Sequence, residues 1–133
     1  MRNSYKNITL ILIAMSLLAA CNDIFEDDLT GQEIKLNSPA ENDSLISGEI
    51  LFWWDYIDQE NNYHEKYNLM IVSPSFDNIN QMVVDTIITS NKFEIEISAG
   101  TYQCWVFAFN GSSNSDTTIH SFSVADTTSS KIF

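Results

Sequence analysis

The stretch AGTYQCWVFAF at residues 99–109 is an almost unbroken apolar run entered through a small turn segment. Successive side chains of a β-strand point to opposite faces of its sheet, so the run divides into two sets. Both sets are largely apolar, which predicts a central strand with one face turned into a core and an aromatic face turned outward. The inward set is Tyr102, Cys104, Val106 and Ala108, and the outward set is Trp105, Phe107 and Phe109.

The rest of the chain from Ile34 onward shows the same kind of pattern. Short runs rich in β-branched and aromatic residues alternate with turn residues, and no helical periodicity of useful length occurs. This pattern predicts an all-β fold, a seven-stranded antiparallel β-sandwich. The predicted strands are 34–37, 48–55, 66–73, 81–88, 92–97, 101–109 and 117–124. The other inward positions are Ile50, Phe52, Trp54, Tyr67, Leu69, Ile71, Phe122 and Val124.

Several motifs resemble a fibronectin type III domain, a relative of the immunoglobulin-like fold. They are a proline turn at Pro39, Phe52-Trp53-Trp54-Asp55, Tyr67-Asn68-Leu69 and Ala99-Gly100-Thr101-Tyr102. The resemblance covers residues 33–125 and implies that Trp54 and Tyr102 pack the core, with Tyr102 forming a tyrosine corner. A true immunoglobulin domain would need a second-strand cysteine opposite Cys104, and the sequence has none.

A second set of motifs is similar to a fibronectin-like variant of small surface lipoproteins and polysaccharide-utilisation systems. It comprises Ser73-Pro74-Ser75-Phe76-Asp77-Asn78, Val84-Asp85-Thr86 and Gly100-Thr101-Tyr102-Gln103. This resemblance implies a spacer or a partner-binding module and names no ligand.

The N-terminus has the pattern of a signal peptide at residues 1–20. Arg2 and Lys6 precede an uncharged stretch, residues 8–18, which is too short at about 1.5 Å per residue to cross a ~30 Å hydrocarbon core. Leu18-Ala19-Ala20-Cys21 then resembles the lipobox of bacterial lipoproteins. The resemblance implies cleavage before Cys21 and lipidation of that residue by acyl chains such as palmitate, which anchors the chain to a membrane.

An acidic run follows Cys21, with four carboxylates between residues 23 and 28. Such a stretch buries too little apolar surface to fold, so residues 21–32 are predicted to be a flexible tether and residues 126–133 a disordered tail. The run also resembles an export signal that places lipoproteins on the outer membrane facing the cell exterior. The alternative is a solvated spacer with no sorting role.

Charge and cysteine usage exclude several functions. Without Arg2 and Lys6 the chain keeps 4 of its 6 basic residues against 18 acidic ones, a net charge of −14, which disfavours nucleic acid as a partner. If Cys21 is lipidated, Cys104 has no disulfide partner, and no cysteine-based zinc site is available. No nucleophile elbow or His/Glu metal motif occurs, so we predict a non-enzyme without a cofactor.

The outward aromatic set is the first candidate binding site. Met70 and Val72 have the matching outward parity in the neighbouring strand, so with Trp105, Phe107 and Phe109 they form an apolar stripe typical of an interface. The stripe predicts a protein-interaction or assembly module. The alternative is internal cover by an added strand, by the N-terminal segment or by the tail, through Ile24, Phe25, Ile132 or Phe133.

A second candidate site lies in the loops. Residues 56–65 and 110–116 fall at the same end of the predicted sandwich, and the first loop combines Tyr56 and Tyr63 with amides and carboxylates. Aromatic rings beside such groups can stack on and hydrogen-bond a sugar. This combination supports an alternative function, a carbohydrate-binding accessory lipoprotein of a glycan-uptake system.

Overall fold

The computed structural model describes residues 5–11, 13, 28–56 and 66–127. Residues 5–11 and 13 are helical and exposed, and none of the described helical segments is long and apolar enough to cross a membrane. The remaining described residues form two facing β-sheets, so the predicted all-β sandwich is confirmed. The predictions for Cys21, for most of the tether and for the loop containing Tyr63 lie outside the described residues.

Eight strands build the two sheets. They are β1 (Leu36–Ser38), β2 (Asp43–Ile46), β3 (Gly48–Trp54), β4 (Lys66–Ser75), β5 (Asn78–Ile88), β6 (Lys92–Ile97), β7 (Gly100–Phe109) and β8 (Thr118–Ala125). The smaller sheet has the order β1-β3-β6, and the larger sheet has the order β2-β8-β7-β4-β5. Consecutive strands therefore change sheet at every connection except β4 to β5 and β7 to β8, whose strands pair within the larger sheet.

The predicted count of seven strands is wrong by one, because the sequence pattern predicts no strand between 34–37 and 48–55. Asp43 and Ser44 are turn-type residues, and local propensity disfavours a strand there. β2 nevertheless pairs with β8 in parallel, from Asp43 opposite Phe122 to Ile46 opposite Ala125. The larger sheet is therefore mixed, because a contact made across some eighty residues of sequence overrides the local preference.

The core between the sheets follows the predicted parity. Every predicted inward side chain is buried, and the aromatic rings contact one another across the two sheets. The Phe52 and Phe122 ring centroids lie 5.8 Å apart, and those of Trp54 and Tyr67 lie 5.5 Å apart. Burial of each such side chain contributes about 1.5–3 kcal/mol, which accounts for a domain that has no disulfide in its described part.

The turn before β7 contains the expected tyrosine corner. The Tyr102 hydroxyl donates a hydrogen bond to the Ser98 carbonyl oxygen at 2.8 Å, which confirms that prediction. The ring of Tyr102 lies against Gly100, where an added Cβ would come within 3.2 Å of the tyrosine hydroxyl oxygen. Glycine at position 100 therefore allows the ring to reach its acceptor.

The packed domain begins before the predicted boundary at residue 33. Leu29 is 1% exposed and belongs to the core, and its amide donates to Ser113 Oγ at 2.8 Å. The Asp116 amide donates to the Gln32 carbonyl oxygen at 2.8 Å, so the incoming chain runs beside the β7–β8 connection. One leucine within an acidic stretch is enough to attach this segment to the sandwich.

Candidate functional site: the outer face of the larger sheet

Charge is distributed unequally between the two sheets. The four long strands of the larger sheet contain two charged side chains, Lys66 and Asp85. The much shorter β3 and β6 together contain four. Because the chain has a net charge of −12, the larger sheet presents an unusually uncharged surface. Depletion of charge together with aromatic enrichment is the composition of an interface core.

The outward side chains of β7 form the centre of this surface. Trp105 lies between Met70 of β4 and Ile119 of β8 in one row across the sheet, Phe107 lies opposite Asn68, and Phe109 lies opposite Lys66. The rings of Phe107 and Phe109 are 6.1 Å apart between centroids. We call Met70, Trp105, Phe107, Phe109 and Ile119 the aromatic face.

The aromatic face is partly exposed. Met70, Trp105, Phe107 and Phe109 are half-buried, while Ile119 is 48% exposed. Ile87, on the adjoining edge strand β5, is 60% exposed and extends the apolar surface sideways. The β7 aromatics therefore shield one another but leave apolar area in contact with solvent.

The tip of the β4–β5 hairpin covers one end of this surface. The Phe76 ring stacks on Trp105 at a centroid distance of 4.4 Å and an interplanar angle of 7°. The Phe76 amide donates to Gln103 Oε1 at 2.9 Å, and Gln103 Nε2 donates to Ser121 Oγ at 3.0 Å. Phe76, which lies between the predicted strands 66–73 and 81–88, thus covers part of the Trp105 ring from within the same chain.

Val72 has the predicted outward parity but is covered within the domain, which is the alternative that the sequence left open. Val72 lies opposite Gln103, as its outward parity requires, but it is 0% exposed and does not belong to the core between the sheets. The same Gln103 binds the Phe76 backbone, so the hairpin tip lies over this end of the face. The register of β4 against β5 shifts twice as the hairpin approaches its tip. Such irregularities bend a strand pair, which parity along one strand cannot reveal.

A hydrogen-bonded chain of side chains fixes the Trp105 indole. Trp105 Nε1 donates to Asn68 Oδ1 at 2.9 Å, and Asn68 Nδ2 donates to Asp85 Oδ1 at 3.1 Å. The indole N–H is therefore already satisfied within the domain. Any contact that Trp105 makes with a partner uses its apolar ring surface, held in one orientation before binding.

The loop end of the sandwich is largely occupied by its own contacts. The Tyr56 ring lies 5.9 Å from that of Tyr67 and packs against the core. In the β7–β8 connection, Asn110 Oδ1 accepts hydrogen bonds from the amides of Ser112 and Ser113 at 3.0 and 2.8 Å. Tyr63 lies outside the described residues. Tyr56 is thus a packing residue against the core.

The reactive and metal-binding groups in the described ranges are dispersed. No three His, Cys, Asp or Glu side chains there lie close enough together to hold a metal ion. Cys104 is buried, and burial raises the pKa of its thiol from 9.0 to about 12. A thiol with this pKa is a weak nucleophile at neutral pH.

The chain is similar to several solved structures. The fibronectin(III)-like modules of Clostridium thermocellum CbhA match with a TM-score of 0.48 and 10% identity, over 71% of this chain and 98% of that one. The structure of FN3tt matches with a TM-score of 0.46 and 12% identity, over 68% and 94%. The FN1-FN3 domains of chicken CNTN1 match with a TM-score of 0.48 and 15% identity, over 74% of this chain and 35% of that one. No family model and no curated protein matches the chain.

The fold itself is fibronectin type III-like, as the strand order and the Tyr102 corner of this chain indicate. Sequence parity found the three β7 aromatics and Met70 but missed three other residues of this surface. Ile119 could have been found by the same argument in β8, because its parity is opposite to that of the inward residues Phe122 and Val124. Phe76 and Asn68 could not, since their roles depend on the hairpin tip and on cross-strand neighbours.

Proposed function

We propose that this chain is a non-catalytic lipoprotein of the outer membrane, displayed toward the cell exterior, which binds a protein partner through its aromatic face. The observation that carries the proposal is an uncharged surface centred on Trp105, Phe107 and Phe109 in a chain of net charge −12. Half-buried aromatic side chains on a rigid sheet lose little conformational freedom on binding, which favours their use as binding anchors.

The proposed anchor restricts where the sandwich can stand. Six residues lie between Cys21 and Asp28, so seven Cα-to-Cα steps join them. At no more than ~3.6 Å per residue they reach at most about 25 Å. The ten-residue strand β7 is about 33 Å long at ~3.3 Å per residue. The tether is therefore shorter than the sandwich, and the domain stays close to the membrane surface.

The point of entry decides which end faces the membrane. Leu29 contacts Ser113 in the β7–β8 connection, at the end where Phe109 lies opposite Lys66. This end, with the β3–β4 and β7–β8 loops, faces the membrane when Cys21 is anchored. The aromatic face is then roughly perpendicular to the membrane plane, accessible to other molecules at the same height above the bilayer.

This orientation lends the carbohydrate-binding alternative less support. Its loop aromatics would lie at the membrane-facing end, and Tyr56 is engaged with Tyr67 and the core. A glycan approaching from the medium would meet the opposite end of the sandwich first. We therefore favour the protein-interaction function.

Two measurements on intact cells test the proposal. Labelling with an alkyne analogue of palmitate should mark the chain and not its Cys21→Ser variant, and external protease should degrade the labelled protein. Lysine-directed cross-linking of these cells should give a discrete adduct that Phe107→Thr removes. Leu51→Thr, on the outer face of the smaller sheet, should leave the adduct unchanged. An adduct that persists in Phe107→Thr would refute the aromatic face as the binding surface.

A further inference from the structure

We propose that the partner of the aromatic face is a second copy of this chain, so that two anchored sandwiches stack their larger sheets face to face. The inference rests on the proposed function and deepens it by naming the partner. The occupant is argued from charge, from geometry at the membrane and from the area available.

Charge selects a neutral partner at this surface. Two copies of the anchored chain, each with a net charge of −14 without Arg2 and Lys6, repel each other, and the repulsion is least where the surfaces that meet carry least charge. The aromatic face is such a surface, and its two neighbouring charges lie at the periphery, Asp85 on the edge strand β5 and Lys66 at the end of β4. A basic partner would instead be drawn to the smaller sheet, where Glu49 lies opposite Glu96.

The short tether admits face-to-face stacking and excludes antiparallel pairing of the open β5 edges. Pairing two β5 strands antiparallel would turn one copy upside down, with its anchored end about 33 Å from the membrane, beyond a tether of about 25 Å. Stacking the aromatic faces about a twofold axis along the strands keeps both anchored ends on the same side. Such isologous contacts are the commonest form of protein dimer.

The area makes the dimer weak in solution and favourable on a membrane. Strands β8, β7, β4 and β5 span a width of about 19 Å at ~4.8 Å each. With a strand length of about 33 Å, the face offers roughly 600 Å² per copy. Two copies would bury roughly 1,200 Å², the lower limit for a stable interface. Anchoring raises the effective concentration of copies at one height, which compensates for the small area.

The twofold arrangement makes a specific prediction about neighbours. Rotation about the strand direction places β8 of one copy over β5 of the other. Ile119, Trp105, Met70 and Asp85 share one row across the sheet, so Ile119 should face the partner's strand β5 at the level of Asp85, two residues from Ile87. These two isoleucines are 48% and 60% exposed, and their substitution should leave the fold intact. The buried Cys104 thiol, with its pKa raised to about 12, should not react with maleimides.

The experiment reconstitutes lipidated chains that begin at Cys21 in liposomes and cross-links them with a flexible bis-maleimide. A mixture of Ile119→Cys and Ile87→Cys chains should cross-link at least tenfold more than either chain alone, and adding Phe107→Lys to both should abolish the product. Leu51→Cys mixed with Ile87→Cys is the matched control and should give only background. Equal thermal unfolding midpoints of all variants establish that each is folded.

The outcomes separate this inference from the proposed function. Background cross-linking in the Ile119→Cys and Ile87→Cys mixture would overturn the second copy as partner. If the Phe107-dependent adduct on cells still forms, with another protein as its second component, the proposed function stands without the self-association. Loss of both signals would overturn both. Cross-linking that resists Phe107→Lys would also overturn the inference, because the aromatic face would not be the interface.

Discussion

Cys104 illustrates how position within a strand controls the chemistry of a side chain. It is the inward neighbour of Trp105 in β7, fully buried between the sheets, and burial raises the pKa of its thiol from 9.0 to about 12. An ionised thiolate in the core is unfavourable, so between pH 9 and about 12 the Cys104 thiol stays protonated in the folded chain and ionises in the unfolded chain. A residue that composition alone could assign to redox chemistry or metal binding is thus a small apolar packing residue.

This pKa predicts a specific loss of stability in alkali. Below pH 9 both states hold the thiol proton, and the contribution of Cys104 does not depend on pH. Between pH 9 and about 12 the unfolded chain loses the proton while the folded chain retains it, so the free energy of unfolding should fall by about 1.4 kcal/mol per pH unit. Urea unfolding of the wild type and of Cys104→Ala at pH 8, 10 and 11 measures this. Parallel pH profiles would contradict it.

The β4–β5 hairpin is the element whose shape most affects the binding surface. Its strands are apolar along much of their length, and its tip bends over the outer face to stack Phe76 on Trp105. Val72, in the strand that leads to the tip, is buried, whereas Phe107 and Phe109 stay partly exposed. The hairpin therefore sets the limit of the aromatic face at this end of the sheet.

Removing the Phe76 ring should uncover Trp105. Phe76→Ala loses the stacked aromatic contact with Trp105, so we expect a destabilisation of about 1–3 kcal/mol. In a Trp53→Phe background, acrylamide should quench the Trp105 fluorescence more strongly in the variant, because Trp54 remains buried. Ile79→Ala in the same hairpin, 46% exposed, is the control and should not change the quenching. Equal quenching in Phe76→Ala would show that the ring does not cover Trp105.

At the scale of the whole molecule, acidic charge is concentrated away from the larger sheet. The described residues contain one ion pair, between Lys35 Nζ and Asp55 at 4.0 Å, and both side chains are largely exposed. A single exposed pair contributes little to stability, whereas a net charge of −12 destabilises the folded chain by self-repulsion.

Salt should therefore stabilise this protein. Raising NaCl from 20 to 500 mM shortens the distance over which charges interact, which weakens the repulsion more than it weakens the one exposed pair. We expect the Tm to rise by several degrees, measured by circular dichroism. The gain should shrink in a variant in which Glu49 and Glu96, opposite each other on β3 and β6, are both replaced by Gln. A Tm that falls with salt would contradict the repulsion argument.

The sequence by itself determined the fold class and the inward sides of β3, β4, β7 and β8. Alternation of apolar residues is a local property, and Phe52, Trp54, Tyr67 and Cys104 are buried as their parity requires. It also pointed to Trp105, Phe107 and Phe109 as an outward aromatic set, because parity needs no knowledge of the neighbouring strands.

Only the tertiary structure decided what covers that set. The stacking of Phe76 on Trp105, the burial of Val72 and the pairing of β2 with β8 all join residues through bends and registers that arise once the sheets have assembled. The attachment of Leu29 beside Ser113 likewise depends on a contact across 84 positions of sequence. Periodicity along one strand carries no information about such contacts, and they define the extent of the aromatic face and its direction relative to the proposed anchor.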